Sequence, residues 1–261
     1  MDIDKIYLGD CLELMKDIPD KSIDCIICDL PYGTTKNAWD SIIPLNELWA
    51  EYKRIIKSKG AIVLFGQQPF TSMLVASNYQ WFKYEWIWEK SVATGFLNSK
   101  FAPLKKHENI LVFSEGAACH VKDPSYAMPY NPQFRQGKPY SQKAKSTSKN
   151  YDYKAYKPFE TVNDGNHYYP VDILEIAQDT DKLHPTQKPV ELLRYLVRTY
   201  SNEGNTILDN CIGSGTTAIA AIKENRHFIG MELNKEYYDI ACMRIKKEQA
   251  EIENSLFNEL T

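Results

Sequence analysis

The chain contains no run of eighteen apolar residues, and its opening residues, Met1-Asp2-Ile3-Asp4-Lys5, lack the basic-then-apolar pattern of a secretion signal. The first absence argues against a membrane-spanning helix and the second against a secretory leader, so the expected compartment is the cytoplasm, with no membrane partner. A disulfide framework is also missing. The six cysteines (Cys11, Cys25, Cys28, Cys119, Cys211 and Cys242) are scattered and mostly have apolar neighbours, as reduced core thiols do. Cys25 and Cys28 form a CxxC pair, but the run from Ser22 to Asp29 reads as a β-strand. Residues three apart on a strand face opposite sides, so the two thiols cannot share a metal ion, and no metal is expected. Positive charge is not in excess either: the formal net charge is −3, so whole-chain electrostatics gives no support for nucleic-acid binding. No internal repeat is present.

The 261 residues, 43% of them hydrophobic, suffice for one large α/β domain or for a domain carrying an insertion. Residues 1–114 alternate apolar β-like runs with amphipathic stretches, and strands are expected at 5–8, 23–28, 61–65, 84–88 and 110–113. Over 44–57 the residues Leu45, Leu48, Trp49, Tyr52, Ile55 and Ile56 recur at a helical period, with Gly60 expected to punctuate the end of that helix. Residues 115–180 lose the regularity and fill with Tyr, Lys, Asn, Pro and Ser. Residues 181–261 recover it: a helix at 189–200, a strand at 206–208, a helix at 216–224, a strand at 227–231 and a charged C-terminal helix. Strands alternating with helices imply a mostly parallel, doubly wound sheet.

Two sites carry chemistry. Asp209-Asn210-Cys211-Ile212-Gly213-Ser214-Gly215-Thr216-Thr217 follows a strand and opens a helix. Its glycines let backbone approach a ligand, and the helix N-terminus offers unpaired N–H groups to an anionic one. The next strand ends at Glu232, where a doubly wound sheet typically offers a carboxylate to a ribose diol. An ordinary strand-to-helix turn explains Gly-Ser-Gly by itself; the flanking Asp209 and Glu232 favour a nucleoside crevice. The third position of a Gly-x-Gly-x-x-Gly pattern is Ala218, which argues against a nicotinamide oxidoreductase. The second site, Asp29-Leu30-Pro31-Tyr32-Gly33, follows the strand at 23–28, at the sheet edge where open α/β folds bind ligands. That composition also suits a plain turn.

Taken together, these residues resemble the amino-methyltransferases of DNA, which carry an Asp-Pro-Pro-Tyr motif and an Asp-Pro-Phe-x-Gly-Ser-Gly-Thr-Thr motif. The catalytic motif (Asp29 to Tyr32) precedes the cofactor motif (Asp209 to Thr217), the order called the beta class. Leu8-Gly9-Asp10-Cys11-Leu12-Glu13, Lys106-His107-Glu108-Asn109-Ile110-Leu111-Val112-Phe113 and His184-Pro185-Thr186-Gln187-Lys188-Pro189 extend the similarity. Leu30 departs from the first proline of the tetrad, and Asn210 and Cys211 from the Pro-Phe of the cofactor motif. The resemblance implies a Rossmann-like S-adenosylmethionine-dependent methyltransferase fold with circularly permuted motif order, and adenine-N6 methylation of double-stranded DNA.

It further implies that Asp29 and the Leu30 carbonyl accept the two hydrogens of the target amine, that Pro31 holds the bend and that Tyr32 stacks on a flipped-out base. S-adenosylmethionine would contact Asp29, Asp209, Gly213, Ser214, Gly215, Thr216 and Thr217, with Glu232 on its ribose. Asp10 and Cys11 would lie near its adenine, and Thr186 and Lys188 near its methionine carboxylate. Asp10 is also readable as a turn residue or helix cap, and Lys188 as an exposed helix N-terminal lysine, though the resemblance favours the cofactor roles. The interval 118–158 holds eight basic residues against two acidic ones, interleaved with tyrosines. That suits phosphate contacts through Lys143, Lys145 and Lys149, as in the target-recognition region the family places there, and it equally suits a solvated loop. A homodimer and a cognate restriction endonuclease are family-level expectations. The alternatives are N4-cytosine methylation, which the family usually marks by Ser at the Asp29 position, a less expected RNA methyltransferase, and a catalytically idle cofactor- or DNA-binding subunit.

Overall fold

The apolar runs become strands and the periodic stretches become helices. In chain order these are β1 (Lys5–Leu8), α1 (Cys11–Met15), β2 (Ile23–Cys28), α2 (Leu45–Ile55), β3 (Ile56–Gly66), α3 (Phe70–Ser77), β4 (Phe82–Thr94), β5 (Lys105–Phe113), β6 (Tyr140–Lys143), β7 (Glu160–Asn163), β8 (Ile173–Glu175), α4 (Val190–Tyr200), β9 (Thr206–Asp209), α5 (Thr216–Lys223), β10 (His227–Glu232) and α6 (Lys235–Glu259). The computed structural model describes residues 1–33, 41–119, 122–143, 160–180 and 187–259. The chain divides into a main unit, Met1–Asn131 with Asp172–Thr261, and a small unit, Pro132–Val171.

The main unit is an eight-stranded sheet in the order β1-β10-β9-β2-β3-β5-β4-β8. All neighbouring strands are parallel except at β5, which runs antiparallel to both β3 and β4. The period-2 pattern sends alternate residues to opposite faces. Cys25 and Ile27 join one core with Leu192, Leu196, Ala218 and Ala221 of α4 and α5. Ile26 and Cys28 join the other with Met15, Leu48, Tyr52 and Leu74 of α1, α2 and α3. The doubly wound α/β arrangement follows, and the two thiols of the CxxC lie on opposite faces of the sheet. Burial pushes the Cys28 thiol up to about 12, so it stays protonated.

The chain winds outward from β9 through α5 to β10 on one face, and from β2 through α2 to β3 on the other. β9 and β2 nevertheless pair side by side, Cys25 with Ile207 and Ile26 with Leu208. Their carboxyl ends therefore frame a topological switch point, the place where an open α/β sheet leaves a crevice for a ligand.

Several boundaries differ from expectation. Gly60 does not end α2, which stops at Ile55 when the Ile56 N–H bonds back to the Tyr52 carbonyl. Gly60 instead lies in β3, where pairing with β2 jumps from Ile23–Ile56 to Cys25–Ala61; a Cβ there would sit 2.7 Å from the Asp24 carbonyl oxygen. Glycine is needed for that close approach. β4 and β5 also run well past the expected 84–88 and 110–113, because their polar ends pair with each other beyond the apolar core. Within 115–180, β8 joins the main sheet beside β4. The small unit is built on the β6–β7 hairpin and on backbone bonds between Arg135 and Tyr168 and between Gly137 and Gly165. Among the described residues, no helix is long and apolar enough to cross a membrane.

Candidate active site

A cavity of about 240 Å³ opens at the switch point. The loop after β9 forms one wall, and its turns depend on glycine. Gly213 (φ 54°) and Gly215 (φ 85°) occupy the left-handed region that other residues avoid. Asp209 holds the loop from within, accepting from the Cys211 N–H (3.0 Å) and the Thr217 hydroxyl (2.6 Å). Burial pushes its carboxyl up to about 6 even though these donors pull the other way. Glu232, at the end of β10, accepts from the Gly213 N–H with one oxygen and the Asn234 N–H with the other, both at 2.8 Å. It therefore fixes two loops before any ligand arrives, and each oxygen keeps a lone pair for a hydroxyl.

Asp10 caps α1, its Oδ1 accepting from the Leu12 N–H at 2.8 Å and the Glu13 N–H at 3.4 Å. The cap also aims Asp10 and Cys11 at the cavity. Arg244 of α6 donates to the Ser214 carbonyl (2.6 Å), the Ser214 hydroxyl (2.9 Å) and the Thr216 hydroxyl (3.2 Å), while Ser214 donates to Gln187.

The opposite wall carries Asp29, just past β2. Its Oδ1 accepts from the Tyr32 hydroxyl at 2.6 Å and its Oδ2 from the Lys188 ammonium, yet the side chain keeps 25% of its surface open. Lys188 also meets Glu108 Oε2 at 3.2 Å, and Lys90 donates to Glu108 Oε1 at 3.2 Å. Two carboxylates and two ammoniums thus alternate at this edge of the sheet, with the Lys188 ammonium 5.1 Å from the centre of the Phe65 ring. Burial raises Asp29, with Lys188 opposing it and Glu108 reinforcing it. Burial would raise Glu108 as well, but the two lysines outweigh it and hold that carboxyl below its usual value. Burial would lower Lys188; Asp29 and Glu108 reverse this and keep it charged.

Of the expected site residues, Asp10, Cys11, Asp29, Pro31 and Lys188 face this one cavity from the N-terminal motifs and the α4 approach. Asp209, Gly213, Ser214, Thr216, Thr217 and Glu232 face it from the other wall. Leu30 buries its side chain in the core beneath β2, and Gly215 caps α5. Tyr32 packs on Phe70 with ring centres 5.2 Å apart and spends its hydroxyl on Asp29. Lys188, expected at a methionine carboxylate, has its ammonium on Asp29 and Glu108 instead. Lys143 is exposed on β6. Thr186, Lys145 and Lys149 lie outside the described residues, as does His184.

Glu108, Lys90, Gln187 and Arg244 are site residues that motif reading did not single out. One signal was available for the first pair: a lysine and a glutamate of opposite charge at the polar ends of two successive apolar strands.

Against this geometry, a family profile described as DNA methylase, covering N6- and N4-methyltransferases, matches residues 23–243. The chain belongs to this DNA methylase family. It is 28% identical over 253 residues to DNA adenine methyltransferase YhdJ of Escherichia coli K12, covering 92% of this chain and 82% of that protein. It is 27% identical over 277 residues to type II methyltransferase M.BglII of Bacillus subtilis, covering 97% and 71%. Among solved structures, the M1.HpyAVI–SAM complex matches with a TM-score of 0.61 at 24% identity, over 92% of this chain and 98% of that one. The cytosine-N4-specific PvuII DNA methyltransferase matches with 0.62 at 16%, over 97% and 92%. These likenesses agree with the mostly parallel α/β sheet and the methyltransferase fold. As a DNA methylase, the chain must present a methyl donor to an exocyclic amine, and the cavity between Asp209 and Asp29 is where its motifs converge.

Proposed function

We propose that this DNA methylase transfers a methyl group from S-adenosylmethionine to N6 of an adenine flipped out of double-stranded DNA. The observation that carries the adenine assignment is Asp29 itself, a carboxylate at the head of the tetrad, open at the cavity rim, where the N4-cytosine members usually have serine.

The cavity suits the cofactor. Gly213 sits where a Cβ would meet nothing within 4 Å, leaving the loop backbone open to a ligand. Glu232 would take the ribose hydroxyls on its spare lone pairs, Asp10 and Cys11 would border the base, and the loop from Gly213 to Thr217 would border the methionine part, with Thr186 at its carboxylate; Lys188, whose charge is shared by Asp29 and Glu108, would brace the Asp29 carboxylate. When bound, the sulfonium supplies an electrophilic methyl group. The chain's own residues then prepare the amine. Its lone pair is conjugated into the purine, so positioning and a more tetrahedral nitrogen must supply the rate. Asp29 and the Leu30 carbonyl accept its two hydrogens, Pro31 holds these acceptors in one bend, and the surplus proton leaves along the Asp29 hydrogen bond. Tyr32 braces Asp29 through its hydroxyl and offers its ring to the base. The interval 115–180 would read the sequence, with Lys143, Lys145 and Lys149 on phosphates.

The test is nucleoside analysis, together with sequencing, of DNA from a methylation-free host expressing the chain. N6-methyladenine in a fixed context supports the reading; N4-methylcytosine would transfer the site to the cytosine class that PvuII methyltransferase represents.

A further inference from the structure

The β4–β5 connection leaves the sheet at the catalytic edge, because β4 is parallel to β2 and its last buried residue, Lys90, is bonded to Glu108 beside Lys188. Beyond that point the chain stops burying apolar groups. Phe96, Leu97 and Phe101 are 75%, 81% and 90% exposed, with Val92 and Leu104 open beside them. Single exposed apolar residues are ordinary, but a contiguous set marks a binding surface. The tip is ordered by its own backbone: Asn98 N–H bonds to Gly95, Ser99 to Phe96, and Phe101 and Ala102 to Asn98, at 2.9–3.1 Å. Charge is one-sided as well. No Asp or Glu occurs from Ser91 to His107, while Lys100, Lys105 and Lys106 do. Lys106 pairs with Glu89; Lys100 and Lys105 form no ion pair among the described residues.

We propose that residues 95–104 form a wedge that enters the DNA base stack beside the target base, with Phe96, Leu97 and Phe101 against bases and Lys100 and Lys105 on the flanking phosphates. The inference rests on the base-flipping reading above and adds the element that makes room for flipping. Apolar side chains inserted at a base step unstack it, and an extruded base leaves a gap that such side chains fill. Cationic neighbours select a polyanion as the occupant. In a two-fold contact built from this tip, both copies would bring Lys100 and Lys105 and neither would bring a carboxylate from residues 91–107, which like-charge repulsion opposes.

The experiment uses the full chain, plasmid DNA from a methylation-free host, and a synthetic duplex built around the site mapped on it. Replacing Phe96→Ser, Leu97→Ser and Phe101→Ser together should leave S-adenosylmethionine affinity and thermal unfolding unchanged, since none of the three lines the cavity. Methylation of the paired duplex should fall about tenfold or more, and the deficit should largely vanish on a duplex with an abasic site opposite the target, where extrusion costs less. Lys100→Gln with Lys105→Gln should reduce the slope of log K against log salt by about 1.8. Wild-type rates on paired DNA, an equal deficit on both duplexes, or an unchanged salt slope would overturn the wedge. So would a dimer that the triple variant dissolves while methylation persists, which would assign the face to a second copy. If the triple variant does not fold, Phe101→Ala takes its place with the same readings. A wild-type chain that methylates no DNA would defeat the underlying reading as well; a methylating wild type with indifferent variants defeats the wedge alone.

Discussion

Lys188 and Asp29, 159 positions apart in the chain, share a hydrogen-bonded ion pair at the rim of the cavity. The lysine approaches from the segment entering α4 and the aspartate from the end of β2, so the pair ties two distant segments together at the cavity. Glu108 on the other flank of Lys188 makes the ammonium a bridge between two carboxylates.

Removing the amine acceptor should separate binding from chemistry. Asp29→Ala is expected to retain S-adenosylmethionine binding by calorimetry and to lose turnover by about 100-fold or more, the scale of losing a group that works mainly in the transition state. Full activity would reject the assignment.

The pH profile should report the charge cluster. Asp29 must be ionised to accept the amine, and its carboxyl is raised. Activity should therefore be lost as pH falls through a value above the ordinary aspartate range. Glu108→Gln removes a negative neighbour, so the acid limb of kcat/KM should move to lower pH. Lys188→Met removes the stabilising cation and should move it higher, besides destabilising the fold by about 3 kcal/mol through an unpaired buried carboxylate. Limbs that move together, or not at all, would reject the cluster.

Glu232 anchors two loop N–H groups and faces the cavity. Glu232→Ala should weaken S-adenosylmethionine binding by about 1–3 kcal/mol. Unchanged affinity in calorimetry would remove it from the ribose.

Asp209 predicts a stability profile. Burial pushes its folded carboxyl up to about 6 against an ordinary 3.8, so between those values the folded state holds the proton more tightly than the unfolded chain. Stability from this group falls as pH rises through that window, by about 3 kcal/mol in total, and does not return above it. The urea stability of the wild type, measured relative to Asp209→Asn, should fall progressively from about pH 4 to about pH 6. A constant difference would contradict the shift.

Neutralising Lys143, Lys145 and Lys149 together should reduce the salt slope of DNA binding by as much as about 2.7 if each meets a phosphate. An unchanged slope in a filter-binding titration would make the interval a solvated loop.

Much of the site was legible because its parts are local. A strand ending at Cys28 just before Asp29, a glycine-bearing strand-to-helix turn at Asp209 and a carboxylate at the end of the next strand each depend on a few consecutive residues, whose alternation and turn chemistry act at short range. The Gly60 expectation failed for the converse reason: what requires glycine there is the Asp24 carbonyl on a neighbouring strand, and no helix end is involved. Glu108, quoted only as part of a longer motif, and Lys90 were given no role because charged residues at strand ends ordinarily face water.

By itself, then, the sequence determined the strands outside 115–180, the doubly wound alternation of strand and helix, the order of the motifs and the family they belong to, since each follows from local pattern; it did not show β6, β7 or β8. Only the tertiary structure decided that β2 and β9, whose Asp24 and Thr206 are bonded across 182 positions, stand side by side, and that Lys188 spends its charge on Asp29 and Glu108. Pairing between strands and the burial of a charge depend on which distant groups the fold makes neighbours. No spacing along the chain encodes that directly.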